Sequence, residues 1–231
     1  MILEVIATSV ADAIIAEKNG AGRIELISGI CEGGVTPSYG LIEQVVASVS
    51  IPVNVMIRPH SNSFCYDEWD LETMLTDIRT VRRLGAAGIV TGCLTPERKV
   101  DTELLEKLLA EVGELSVTFH RAIDETDDLE GTLHVLAQYP QIHRVLTSGG
   151  KPSVLDARDE ILRLQAVELS RPIAILAGSG LNLPSLASFI RDTGVREVHM
   201  GTGVRRGNRA QDTVDPELVR AAADIVAGFS K

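Results

Sequence analysis

One unit recurs eight times along this chain: a short apolar strand ending in a polar residue, a glycine-containing loop, then an amphipathic helix. Strands are predicted at 2–6, 23–27, 53–57, 88–91, 116–120, 144–148, 173–177 and 196–201, with starts between 20 and 35 residues apart. Strands alternating with helices at that spacing pair in parallel through crossover helices. Eight units predict an α/β fold, a single-domain (β/α)8 TIM barrel over residues 1–231. Such a barrel gathers its chemistry at the C-terminal ends of the strands.

Helices are predicted near 9–19, 39–49, 69–84, after Asp101, at about 127–138 and 153–168, from Asn182-Leu183-Pro184, and from Asp215-Pro216 to the end of the chain. Ser9, Asn182 and the two prolines supply start signals. Two loops are longer than the barrel needs, 58–68 and 201–214. Both belong to the face where long loops act as lids or substrate walls.

Aromatic residues make up only 3% of a chain that is 45% hydrophobic, so the core is expected to be aliphatic, as barrel interiors usually are. A formal charge of −10 disfavours nucleic acid and anionic membrane surfaces as partners. Cys31, Cys65 and Cys93 are odd in number and far apart, which gives neither a disulfide framework nor a zinc motif and fits a reducing cytoplasm. Glu4 interrupts the first apolar run and no basic segment precedes it, unlike a signal peptide. The longest uncharged stretch, 172–190, is broken by Pro172, Gly178, Gly180 and Pro184 and does not read as a membrane span.

Charge inside apolar strands marks the candidate site. Glu4 shares parity with Ile2 and Ile6, and Glu25 with Arg23 and Ile27, so on adjacent strands both carboxylates point to one side. Each is either a site carboxylate or a structural partner for Arg58 or Arg121. His120 ends the fifth strand, Arg121 follows it, Arg58 ends the third strand and His199 lies in the eighth. Six ionisable groups from five strands thus converge on one barrel end. Asp124 is placed to orient Arg121. Small-residue loops follow the last three strands: Ser148-Gly149-Gly150, Gly178-Ser179-Gly180 and Gly201-Thr202-Gly203. Their amides can cradle a phosphate or carboxylate, or the glycines merely serve tight turns. Arg205, Arg206 and Arg209 either add charge there or form an exposed basic loop. Cys31 and Cys65 lie in the loops after the second and third strands, where thiolates could hold Cu(I) or stand as unrelated free thiols.

The segments GAGRIELISGICEGGVTPSYGLI, IPVNVMIRP, FCYDE, SVTFHRAID, RVLTSGG and EVHMGTG resemble the CutC family of copper homeostasis proteins nearly end to end. The resemblance implies a TIM barrel, a cytoplasmic location, a homo-oligomer and a link to copper handling. Many members carry cysteines, proposed as Cu(I) ligands, where this chain has Ile6 and Ile27. The family loop RPRGGDFCY reads Arg58-Pro59-His60-Ser61-Asn62-Ser63-Phe64-Cys65-Tyr66 here. Glu4, Glu25, Arg58, His120, Arg121 and His199 match the family.

Three functions are compatible with these residues. One is copper homeostasis through Cu(I) binding or trafficking by Cys31, Cys65 and His60. A second is an enzyme acting on a small anionic or phosphorylated metabolite, with Glu4 or Glu25 as acid or base, His120 and His199 shuttling protons, and Arg58 and Arg121 holding an anion. In its variant a divalent metal sits on His120, His199 and a glutamate. The third is a binding or sensor protein without turnover.

Overall fold

The first strand lies beside the last. In a computed structural model describing residues 1–229, β1 (Ile2–Ala7), β2 (Arg23–Leu26), β3 (Val53–Met56), β4 (Gly88–Thr91), β5 (Ser116–Phe119), β6 (Ile142–Thr147), β7 (Ala174–Ala177) and β8 (Glu197–Met200) pair in parallel in chain order and close into a ring. Around it lie α1 (Val10–Lys18), α2 (Tyr39–Ser48), α3 (Glu68–Arg83), α4 (Thr102–Glu111), α5 (Leu129–Leu136), α6 (Arg158–Ala166), α7 (Leu183–Thr193) and α8 (Pro216–Gly228). This is the expected (β/α)8 barrel. Among the described residues no helix is long and apolar enough to cross a membrane.

Short polar side chains start the helices where the sequence places them. Ser9, Asp67, Asp101, Asp128, Asn182 and Asp215 each accept an amide N–H of the first turn. The predicted helix at 153–168 is the exception. Ser153 caps a short 3-10 turn at Val154–Asp156, whose first amide donates to Ser179 O at 2.9 Å, and α6 begins only at Arg158.

The strands divide cleanly by parity. Leu3, Val5, Ile24, Leu26, Val53, Val55, Ile89, Val117, Val145, Ile175 and Val198 join the main core with Leu105, Leu108, Leu133, Ile161, Leu186 and Val219 of the helices. This outer layer is aliphatic, as composition predicts. The lumen is mixed: Ile6, Ile27, Met56 and Val90 form a small apolar cluster, as expected, but the floor below it is charged, which corrects the expectation of a wholly aliphatic interior. Arg23 Nε donates to Glu4 Oε2 at 2.6 Å, Arg23 also pairs with Glu197, and Arg144 Nε lies 3.3 Å from Glu197 Oε2. Charges buried in a barrel floor are tolerated because each lies against its opposite. Gly88 makes room for the polar filling: a Cβ there would lie 2.4 Å from Ser116 O and 2.6 Å from Asn54 Oδ1.

The loop after β8 is strapped to the start of the chain. Arg205, 1% exposed, donates to Asp12 Oδ2 at 3.2 Å, to Asp212 O at 2.7 Å and to Ile6 O at 3.0 Å. It is therefore neither an anion-loop charge nor an exposed one. Arg206 and Arg209 are exposed and pair with Asp215 and Asp212.

Candidate active site

The C-terminal ends of the strands surround a cavity of about 600 Å³. Ile6, Ile27 and Met56 supply an apolar wall, and Glu25, His199, His120 and Arg58 supply its chemistry.

Barrel closure fixes the deepest part. The register sets Glu4 opposite both Arg23 and His199, and Ile6 opposite Glu25. His199 therefore bridges two carboxylates at different heights: Nδ1 lies 2.8 Å from Glu4 Oε1 and Nε2 lies 3.7 Å from Glu25 Oε2. Glu4 spends both oxygens on His199 and Arg23, so its partners are not Arg58 or Arg121. Burial works against ionising Glu4, but the His199 hydrogen bond and the Arg23 charge outweigh it and lower its pKa. Glu25 is 2% exposed and its Oε1 has no hydrogen-bond partner. Burial, with the nearby charge of Glu4, pushes Glu25 up to about 7 against the pull of His199. For His199 burial favours the neutral ring, but the two glutamates raise its pKa.

His120 is a different kind of histidine. Its Nδ1 accepts the Ala122 N–H at 3.2 Å, and its ring lies 4.8 Å from that of Phe64. Burial and the charge of Arg58 hold its pKa down at about 3. It is a neutral imidazole on a residue that borders the cavity, and its remaining N–H, on Nε2, has no protein partner among the described residues.

Arg58 is clamped by carbonyls: its Nη1 donates to Glu32 O and Gly34 O, each at 3.2 Å, and its Nη2 to Ser61 O at 3.4 Å. Phe64 lies under the guanidinium, 4.5 Å from its centre. Arg121 reaches Asp124 Oδ2 at 2.8 Å and Ser148 Oγ at 2.9 Å, so Asp124 does orient it.

Asp124 also fills the first glycine loop. Its carboxylate accepts the amide N–H groups of Ser148, at 3.0 Å to the nearer oxygen, and Gly150, at 3.0 Å, while the Gly149 amide donates to Thr147 Oγ1 at 2.8 Å. Ser148 and Gly149 thus have no free amide for a ligand. Gly178 donates to Thr147 O, whereas Gly180 and Gly201 border the cavity.

Glu4, Glu25 and His199 form the one cluster of three metal-ligating side chains within 4.8 Å among the described residues. It contains neither a cysteine nor His120, so the predicted two-histidine metal set is not assembled. Both Glu4 oxygens are engaged, and Arg23 already puts a positive charge against it. Cys31 and Cys65 are exposed and do not line the cavity. Cys93 is buried, donates to Asp101 O at 3.4 Å, and its thiol is pushed up by burial.

Sequence reasoning missed Arg23, Arg144 and Glu197. A signal existed for two of them: Arg23 shares the parity of Glu25, and Glu197 that of His199.

A family model for the CutC family matches residues 1–204. The crystal structure of CutC from Streptococcus agalactiae, a protein named for copper homeostasis, is 29% identical with a TM-score of 0.80, covering 86% of this chain and 97% of that one. N-(5'-phosphoribosyl)anthranilate isomerase from Pyrococcus furiosus shares 16% identity over 99% of each chain at a TM-score of 0.62. A dihydrodipicolinate synthase from Bacillus anthracis shares 11%, covering 99% of this chain and 80% of that one, at 0.64. Identity that low shows a shared barrel alone.

Proposed function

The chain belongs to the CutC family, and we propose that its barrel mouth is a proton-transfer site for a small anionic metabolite. The observation that carries this reading is Glu25: a buried carboxyl poised to about 7, on a residue that borders the cavity, with Oε1 unpartnered among the described residues. A general base works best with a pKa near the working pH. Glu25 takes a proton from a substrate atom next to a carbonyl or carboxylate and returns it to a neighbouring position. The electron pair left behind moves onto the substrate oxygen, where the Nε2–H of His120 and the guanidinium of Arg58 stabilise it. A neutral histidine suits that task, since it donates a hydrogen bond without surrendering its own proton at once. Glu4 and Arg23 do not touch substrate. They hold His199 in place, and His199 restrains the rise of the Glu25 pKa.

The test is solvent exchange. A mixture of small carboxylic and phosphorylated metabolites is incubated with the protein in D2O and followed by NMR. Deuterium should enter at least one compound, and Glu25→Gln should abolish it. No exchange, together with a Glu25 that titrates near an ordinary glutamate, would sink the idea.

A second reading rests on the family and the name of its Streptococcus agalactiae member: copper homeostasis through Cu(I) binding or trafficking. Cu(I) prefers thiolates. The mouth does not fit it, because positions 6 and 27 are isoleucine and no thiol lines the cavity. Copper binding by this chain would rest on the exposed Cys31 and Cys65. An anaerobic Cu(I) competition titration decides: stoichiometric binding lost in Cys31→Ser plus Cys65→Ser supports this reading, and no binding retires it. Free thiols fit a reducing compartment, and the proposal includes a cytoplasmic location.

A further inference from the structure

Four arginines reach the interior of this fold, and three of them meet a carboxylate: Arg23 meets Glu4 and Glu197, Arg144 meets Glu197, and Arg205 meets Asp12. Arg58 does not. It is only 7% exposed, its hydrogen bonds go to three backbone carbonyls, its Nε has no partner among the described residues, and the side chains against it, Phe64 and Tyr66, bring no carboxylate. The carbonyls and the Phe64 ring stabilise this cation in part, and an anionic ligand would supply the counter-charge that its surroundings lack. Arg58 borders the cavity, so an anion in the mouth lies within the field of its charge.

The facing rim offers a second anion position. β3 and β7 are four strands apart in a ring of eight and so lie across the mouth from each other. After β7, Ser179 and Gly180 are both left-handed, with φ of 75° and 85°. The loop after β6 carries the same feature at the same distance from its strand, Gly149 and Gly150 with φ of 68° and 69°. Consecutive N–H groups in such a turn form an anion-binding concavity. The β6 loop gives its Ser148 and Gly150 amides to the Asp124 carboxylate, so one amide of this pattern, that of Gly150, whose counterpart after β7 is Gly180, already holds a carboxylate. In the β7 loop the amides of Ser179, Gly180 and Leu181 donate to no acceptor among the described residues, and all three residues border the cavity.

We infer that the mouth takes a small molecule with an acidic group at each end, one held by Arg58 and the other by the amides of Ser179, Gly180 and Leu181. The atom between them is presented to Glu25. This rests on the mouth being the substrate site and names the substrate class: a dicarboxylate or a phosphorylated carboxylate.

The probes are acetate, inorganic phosphate, phosphoglycolate and the diacids malonate, succinate and glutarate, titrated into the intact protein and read from its 1H–15N spectrum. At least one two-ended probe should bind about tenfold or more tighter than acetate, a difference of about 1.4 kcal/mol. It should move the amides of 179–181 at saturation. Arg58→Met should bring that probe down to the level of acetate while inorganic phosphate still moves those amides. Arg58→Lys keeps the charge and should keep part of the advantage. A preference for phosphoglycolate over malonate, or the reverse, upholds the inference and names the group at the β7 loop. Diacids no tighter than acetate, or amides 179–181 unmoved by every probe, overturn it, as does full retention in Arg58→Met. Glu25→Gln should bind the two-ended probe at least as well as the parent. Failed deuterium exchange with intact two-ended binding therefore faults the proton-transfer reading alone, and exchange without that preference faults this one alone.

Discussion

Replacing Glu25 by glutamine should stabilise the protein, and only above acidic pH. The side chain is fully buried, and burial holds its carboxyl at about 7 against an ordinary value of 4.5. That interval is about 2.5 pH units, each worth about 1.36 kcal/mol, so carrying Glu25 ionised costs the folded state about 3 kcal/mol. The folded pKa is the higher one, so the folded state binds the proton more tightly than the unfolded chain. Its contribution is complete below pH 4.5 and disappears as the pH rises through 7. Glutamine has the shape of the protonated acid and never ionises. Urea unfolding of both proteins between about pH 4 and pH 9 should give equal stabilities at the acidic end. The difference should then grow by about 1.36 kcal/mol per pH unit and level off above pH 7, with glutamine about 3 kcal/mol ahead. A difference that stays flat, or parent protein that gains on the variant with rising pH, would show that His199 stabilises the carboxylate at least as much as burial opposes it. The base assigned to the mouth would then have an ordinary pKa.

His120 should remain neutral across about pH 5 to 8, as the Nε2–H tautomer, because its pKa is held at about 3 and Nδ1 accepts from Ala122. Long-range 1H–15N spectra test this, and a ring that titrates in that range refutes it. Arg205→Met should cost about 3–5 kcal/mol in chemical denaturation, since it leaves the buried Asp12 carboxylate without its cation. A loss below about 1 kcal/mol would mean that the strap is a weak surface-type pair. Gly88→Ala should cost about 1–3 kcal/mol through the clash with Ser116 O and Asn54, measured by the same assay, and a neutral effect would refute the tight lumen.

The strand and helix order is legible because each strand is a short apolar run ended by a glycine loop, and each helix is opened by a capping side chain. The lumen charges are legible in part for the same reason: in a strand buried on both faces, Glu4 and Glu25 stand out. Their partners are not legible. Parity places Arg23 with Glu25, but the register that sets Arg23 against Glu4 comes from ring closure. The three glycine loops after β6, β7 and β8 look alike in sequence. Only the arrival of Asp124, 24 residues before Ser148, separates the filled one from the others. Arg205 sits in a segment, GTGVRRGNRA, with every local mark of an exposed loop, and its burial depends on Asp12, 193 residues away.

Glu4 and His199 stand 195 residues apart in the chain and hydrogen-bond to each other in the first and last strands of the ring. On the ribosome, at about 5–20 residues per second, the first strand waits roughly 10 to 40 s for the last to emerge. Throughout that wait one edge of β1 has no neighbour, and an unpaired edge invites pairing with another chain. Such long-range pairing is also slow to form. A nascent barrel of this kind leaves that edge open until synthesis is nearly complete. A translation product that stops before β8 lacks His199, and with it the ring.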